Sequence, residues 1–224
     1  MKIAVAIDGP AAAGKSTVAK LIAERKGYTY IDTGAMYRAF TLYCLRKGID
    51  CQNEEECVKV IPEVHIELKP GHIVLLNEED VSFAIRQTDV SGNVSYIASY
   101  KDIRLALVDE QRKMALSDSV IMDGRDIGTY VLPNAEVKIY QIASVETRAK
   151  RRYDENLSKG IPCTLEEIED DVRKRDYIDS HRAFAPLKPA EDSIELDTSN
   201  MSIEEVVDAI CNIIDKKVEE LQGV

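Results

Sequence analysis

Gly9-Pro10-Ala11-Ala12-Ala13-Gly14-Lys15-Ser16 is the stretch whose reading decides the fold. It fits the spacing G-x-x-x-x-G-K-[ST], and it stands between the apolar run Ile3 to Ile7 and a segment carrying Val18, Leu21 and Ile22 at helical spacing. A strand, a glycine-rich turn and a helix in that order make a cradle for phosphate. Backbone N–H groups converge on the anion's oxygens, and the helix N-terminus adds its dipole. Lys15 then reaches toward the β and γ phosphates, and the Ser16 hydroxyl is placed to sit on a magnesium ion bridging them. A nucleoside triphosphate is the expected ligand. The use made of it stays open among a hydrolysing switch or motor, a small-molecule kinase and a nucleotide-gated binding module. The missing guanine-reading N-K-x-D weakens the switch.

Outward from that loop, four more apolar runs read as strands: Tyr28 to Ile31, Ser119 to Met122, Val137 to Ile142 and Ser193 to Leu196. Their continuous apolar character predicts burial on both faces, as in a parallel sheet between helical layers. The clearest helix runs from Ile203 to Leu221, opened by a Ser202/Glu205 capping box. Its apolar stripe is Val206, Val207, Ile210, Ile213, Ile214, Val218 and Leu221. Thr164 and Glu167 open another helix in the same way, and Glu54 to Glu56 read as a solvated helix start. Val64 to Leu68, Gly71 and Ile73 to Leu76 read as a hairpin, so the segment Val64 to Ser91 is expected to be a β-rich insert in an α/β body.

Composition narrows the function. The chain has 224 residues, 29 Lys plus Arg against 40 Asp plus Glu, a formal net charge of −11 and a 45% hydrophobic fraction. These values exclude a disordered chain and argue against a nucleic-acid polymer or an anionic membrane surface as partner. The acidity is peripheral: residues 1 to 48 carry 8 Lys and Arg against 3 Asp and Glu, whereas residues 191 to 224 carry 2 against 10. The run Ile3 to Ile7 ends at Asp8, too short for a signal sequence, and no segment approaches the ~18 apolar residues of a membrane span. Cys44, Cys51, Cys57, Cys163 and Cys211 are odd in number and lack CxxC spacing, which suits reduced thiols in the cytoplasm. The three histidines show no ligand spacing, so no metal site built from protein ligands alone is expected.

Three further constellations bear charge where ligands bind. Asp32-Thr33-Gly34-Ala35-Met36-Tyr37-Arg38 follows the second strand and sets Arg38 on a first helical turn, either to clamp a phosphate or simply as an exposed arginine. Asp123-Gly124-Arg125-Asp126 stands at the C-terminal end of a strand, where open α/β sheets bind ligands. Arg175, Asp179 and Arg182 at i, i+4 and i+7 share one helix face, and Arg148, Arg151 and Arg152 at i, i+3 and i+4 share another. Both faces read either as cationic walls around a polyphosphate or as solvated salt-bridge rows.

Taken together, IDGPAAAGKST (Ile7 to Thr17), IDTGAMYR (Ile31 to Arg38), DGRDIGT (Asp123 to Thr129), RAKRR (Arg148 to Arg152) and RDYIDSHRAFAPL (Arg175 to Leu187) resemble the bacterial cytidylate kinase family. Its members are P-loop enzymes that transfer a phosphoryl group from ATP to CMP or dCMP. The resemblance runs in order over nearly the whole chain. It implies an α/β P-loop three-layer fold with a five-stranded parallel sheet, a small β-rich NMP-binding insert and an arginine-rich lid. One kinase domain would span 1–224, with 33–100 as the NMP-binding region and 148–182 as the lid. The insert would then extend from Val64 to Ile97.

By the same resemblance, ATP is held by Gly9, Pro10, Ala11, Ala12, Ala13, Gly14, Lys15, Ser16 and Thr17 with Arg148 and Arg151, and Mg2+ by Ser16. Lys15, Arg125, Arg152 and Arg182 take the catalytic roles. Thr33, Tyr37, Arg38, Ser95, Arg104, Asp126, Arg175, Asp179 and Arg182 form the acceptor site. Within it, Arg38 and Arg125 take the CMP phosphate, Ser95, Arg104 and Asp126 the cytosine edge, and Arg175 and Asp179 the pentose. Read from the residues alone, Ser95 and Arg104 stand equally well as plain surface positions. A monomer acting on free CMP and dCMP is expected. Thr33 replaces the commoner serine and keeps its hydroxyl. A monophosphate already carries its nucleophilic oxyanion, so no general base is needed, and histidine is scarce.

Overall fold

The computed structural model describes residues 1–116, 118–158 and 160–223; Ser117, Lys159 and Val224, which the expected lid and domain spans include, lie outside the described residues. The chain runs β1 (Ala4–Asp8), α1 (Lys15–Lys26), β2 (Thr29–Asp32), α2 (Thr33–Arg46), α3 (Glu54–Lys59), β3 (Ile66–Lys69), β4 (Ile73–Leu76), β5 (Glu79–Asp80), α4 (Thr88–Ile97) and α5 (Lys101–Met114). It continues through β6 (Val120–Gly124), β7 (Val137–Ile142), α6 (Val145–Ser158), α7 (Leu165–His181), β8 (Ile194–Asp197) and α8 (Ile203–Gln222).

β2, β6, β1, β7 and β8 form, in that order, one parallel five-stranded sheet. Four of the strands begin and end within a residue of their expected ranges, and β6 runs two residues beyond the expected Met122, to Gly124. Because side chains alternate across a sheet, Val5 and Ile7 of β1 pack with α1 and α8, while Ala6 joins Met122, Val108 and Ile127 on the opposite face. This is the expected three-layer P-loop fold. β6 lies between β2 and β1, which brings Asp8, Asp32 and Asp123 together at the C-terminal edge of the sheet.

Both expected capping boxes are present, at Thr164/Glu167 and Ser202/Glu205. The apolar stripe of α8 is buried through Val206, Val207, Ile210 and Ile214, with Ile213 and Val218 packed partly buried against the same core, but Leu221 is 46% exposed.

The segment between α2 and α5 has its own core. Met36, Phe40 and Cys44 of α2 pack with Ile66, Val74 and Leu76 of the antiparallel β3-β4-β5 sheet and with Val90, Val94 and Ile97 of α4. The hairpin reading therefore needs two corrections. A two-residue third strand, β5, completes the sheet, and the β-rich part ends at Asp80. From Thr88 the insert is helical, because Val90, Val94 and Ile97 recur at the spacing that buries one helix face. Arg182 is also corrected: α7 ends at His181, and Arg182 adopts an extended backbone. Arg175 and Asp179 share a helix face, while Arg182 reaches the same place from just beyond it. Among the described residues, no helix is long and apolar enough to cross a membrane.

Candidate active site

A cavity of about 670 Å³ opens at the C-terminal edge of the sheet, between the phosphate loop, the insert, α6 and α7. The loop's shape is set from behind. Gly9 has φ +150°, and a Cβ there would lie 2.0 Å from the Gln141 carbonyl oxygen, so only glycine fits. The Gln141 side chain donates to the Ala13 carbonyl at 2.7 Å. Arg148 donates to the Ala11 carbonyl at 2.9 Å and pairs with Asp176 at 2.7 Å, and Asp176 in turn accepts the Ala11 N–H at 3.2 Å. Gly9, Pro10, Ala11 and Arg148 thus form the rear of the loop, whereas Ala12, Ala13, Gly14, Lys15, Ser16 and Thr17 face the cavity. Arg151 and Arg152 line it from α6, and Arg151 also holds the Thr198 carbonyl at 2.7 Å.

Lys15 is 5% exposed, and its ammonium donates to the Pro10 carbonyl at 2.7 Å. Burial, reinforced by the Arg125 guanidinium, pushes its pKa down to about 7. The Ser16 hydroxyl donates to Asp123 Oδ2 at 2.7 Å, and the Tyr30 phenol donates to Asp123 Oδ1, also at 2.7 Å. Burial first, and Asp32 second, raise the Asp123 pKa; burial holds the Tyr30 phenol well above its ordinary value, so it remains a donor. Thr33 donates to the Asp123 carbonyl at 2.7 Å, which seats α2 on the end of β6.

The acceptor-side candidates converge on the other half of the cavity. Arg38 pairs with Asp32 at 3.0 Å, and Arg125 donates to Asp179 at 2.8 Å. Arg104 is 1% exposed: it donates to Asp126 Oδ2 at 2.5 Å and to the Ala98 carbonyl at 2.9 Å, and its guanidinium lies 5.1 Å from the Tyr37 ring centroid. Arg182 approaches Asp126 Oδ1 at 3.3 Å from the other side. Ser95 is buried beside them, so neither it nor Arg104 is a surface residue. Arg175 also faces the cavity, its pKa pushed down to about 10 by burial and then by Arg125. Cations outnumber carboxylates around this cavity, although the chain as a whole is acidic.

Several residues at the site were not singled out from the sequence. Arg86, in the short turn Ala84–Arg86 of the insert, lines the cavity but belongs to no motif. Thr198, Met201, Ile203 and Val206 also line it, at and just before the start of α8, where the sequence shows only an apolar helix and its cap. Asp8 lay inside a quoted motif without being singled out, and Asp123 was quoted in its constellation without a role of its own; the signal for both was a carboxylate at the end of a buried strand.

Asp8 accepts the N–H groups of Ile127 and Gly128, both at 2.7 Å, and so fixes the turn after Asp126. Burial pushes its pKa up to about 6 against the lowering effect of those two N–H groups. An acid whose pKa is raised on folding binds more protons folded than unfolded, so its contribution to stability falls as pH rises from about 4 to about 6. Asp8→Asn removes that slope. The stability difference between wild type and variant, from urea unfolding, is expected to shift by about 2 kcal/mol in the variant's favour between pH 4.5 and pH 7.

The parallel sheet, the phosphate loop and the arginine-lined cavity define a P-loop kinase. The fold is shared with a gluconokinase from Sinorhizobium meliloti (TM-score 0.55, 13% identity, 98% of this chain and 95% of that one). It is shared also with a protein from Eubacterium ventriosum (TM-score 0.53, 14% identity, 96% and 99%). The chain belongs to the cytidylate kinase family, whose model, described as Cytidylate kinase, matches residues 5–216. The cytidylate kinase of Anoxybacillus flavithermus is 55% identical over 221 residues, 97% of this chain and 98% of that protein. That of Bacillus subtilis is 49% identical over 219 residues, 96% and 98%. The enzyme is a nucleoside monophosphate kinase, a phosphotransferase.

Proposed function

We propose that the enzyme transfers the γ-phosphoryl group of ATP to CMP or dCMP, giving ADP and CDP or dCDP. The observation that carries the choice of acceptor is the buried set Ser95, Arg104 and Asp126 in a cavity headed by a phosphate loop. Cytosine presents an amino donor beside acceptors. The Asp126 carboxylate and Ser95 hydroxyl suit the amine, and Arg104 suits the acceptors.

In this reading the region 33–100 holds the acceptor, and Arg38 and Arg125, joined by Arg86, exchange their present carboxylate partners for the CMP phosphate. Arg175 and Asp179 take the pentose, with Thr33 and Tyr37 shaping the acceptor's seat. The donor's phosphates lie on Ala12 to Thr17, with Gly9 to Ala11 and Arg148 supporting that loop, and its base lies toward Met201, Ile203 and Val206. Arg151 and Arg152 belong to a lid, 148–182, that closes on ATP and excludes water, so that γ-phosphoryl is not lost to hydrolysis. The enzyme works in the cytoplasm as a monomer on free nucleotides, with no nucleic-acid polymer or membrane as partner; its unpaired cysteines support that compartment.

The CMP phosphate oxyanion attacks the γ-phosphorus in line, without a general base. Lys15, Arg125, Arg152 and Arg182 gather the charge that spreads over the transferred group. Ser16 Oγ and Asp123 Oδ2, 2.7 Å apart at the loop, are hard oxygen donors that would hold Mg2+. When bound, that ion neutralises charge on the β- and γ-phosphate oxygens.

A coupled ADP-release assay at fixed ATP with CMP, dCMP, UMP or AMP tests the proposal. CMP and dCMP are expected to drive turnover strongly over AMP. Absence of CMP-stimulated turnover overturns the proposal, and preference for UMP moves the enzyme to a sister kinase.

A further inference from the structure

Tyr30 sits on β2 opposite Ile121 of β6, two residues before Asp32, which stands opposite Asp123. The alternation of a strand puts Tyr30 and Asp32 on the same face of the sheet. From there the phenol reaches across to Asp123 Oδ1 at 2.7 Å, while the Ser16 hydroxyl holds Oδ2 at 2.7 Å. The ring is held from outside. His72, in the turn between β3 and β4, packs edge-on against it with centroids 5.7 Å apart, and the Lys20 ammonium lies 5.7 Å from its centroid. Phenylalanine would fill the same strand position and keep both ring contacts. What tyrosine adds is one donor, delivered to one oxygen of a buried carboxylate.

We infer that Tyr30 is a positioning residue for the cation used in phosphoryl transfer, its phenol locking Asp123 so that Oδ2 stays beside the Ser16 hydroxyl. The inference rests on the proposed ATP- and Mg2+-dependent reading of the site. A carboxylate on a single C–C bond can turn about its axis, and two donors, one on each oxygen, hold it in one orientation. Without the phenol, Oδ1 keeps no protein donor among the described residues. The carboxylate then has reason to turn toward Ser16 or Lys15 and present the wrong geometry to the ion. Groups that orient metal ligands in this way typically contribute about 10- to 100-fold to metal affinity.

The test is Mn2+ binding to the full-length enzyme with ADP present, read from the paramagnetic resonance of free Mn2+. Tyr30→Phe is expected to weaken Mn2+ binding about 10-fold and to raise the Mg2+ concentration for half-maximal turnover in step, with KM for CMP unchanged. Tyr30→Leu, which also lacks the hydroxyl, is expected to show the same loss, and urea unfolding of each variant establishes that it is folded. On an Asp123→Asn background, Tyr30→Phe is expected to add no further loss, since the phenol acts through that carboxylate. Wild-type Mn2+ affinity in Tyr30→Phe, or a loss confined to Tyr30→Leu, overturns the inference, as does full additivity with Asp123→Asn. CMP-stimulated turnover of the wild type, measured alongside, separates failure of this inference from failure of the proposed reaction.

Discussion

Lys15→Ala is expected to lower CMP-dependent turnover by about 10³-fold while leaving the fold intact. The two halves of that expectation come from the same surroundings. The ammonium is buried at the base of the loop, and burial together with Arg125 lowers its pKa to about 7. A positive charge in that position is poorly solvated until an anion arrives, so its interaction with a triphosphate is worth far more than a surface contact. Its loss removes charge stabilisation where the transferred group bears most of it.

Stability responds differently, because among the described residues no buried carboxylate depends on Lys15 alone. Asp8 keeps the Ile127 and Gly128 N–H groups, Asp123 keeps Ser16 and Tyr30, and Asp179 keeps Arg125. Removing a lysine whose charge is disfavoured by burial leaves the unfolding free energy within about 1 kcal/mol of wild type. Turnover in the coupled assay and urea midpoints measure the two quantities. A fall in turnover below tenfold, or a stability loss matching it, contradicts the argument.

What the sequence made legible was whatever is local. The phosphate loop, the strand runs and both capping boxes are written in neighbouring residues, and each appears in place. What it left ambiguous is set by tertiary burial. Arg104 on a helix looks like any solvated arginine until Asp126 and the Ala98 carbonyl are found beside it. Arg148 shows the converse. Its i, i+3, i+4 spacing suggested three arginines sharing one face, yet it is buried behind the loop while Arg151 and Arg152 face the cavity. The insertion of β6 between β2 and β1 joins segments about ninety residues apart, a distance of the kind no local periodicity encodes. That adjacency is what creates the Tyr30, Asp123 and Ser16 cluster.

Arg182→Ala is expected to differ from Lys15→Ala by losing both quantities, turnover by about 10²- to 10³-fold and stability by about 2–3 kcal/mol. From the helical spacing alone, Arg182 belongs to a face read either as a cationic wall around a polyphosphate or as a solvated salt-bridge row, and on neither reading does its truncation disturb the fold. In the folded chain its side chain is 1% exposed and serves as a knot. Nε and Nη2 donate to the Ala185 carbonyl at 2.7 and 2.5 Å, Nη1 reaches the Ala98 carbonyl at 3.4 Å, and Nη2 lies 3.3 Å from Asp126. It therefore ties the end of α7 to the end of α4 and to the loop after β6. Truncation leaves the Ala185 carbonyl without this donor and opens a buried space, but Asp126 retains Arg104, so the loss should fall below the roughly 3–5 kcal/mol of an orphaned buried charge. Arg182→Lys separates the two roles. It keeps a positive charge but not the planar fork that serves two carbonyls and a carboxylate at once, so it should recover less than half of the stability loss and little of the turnover. Urea unfolding and the coupled assay on both variants decide the matter; an Arg182→Ala enzyme as stable as wild type would show that the knot does not hold the three elements together.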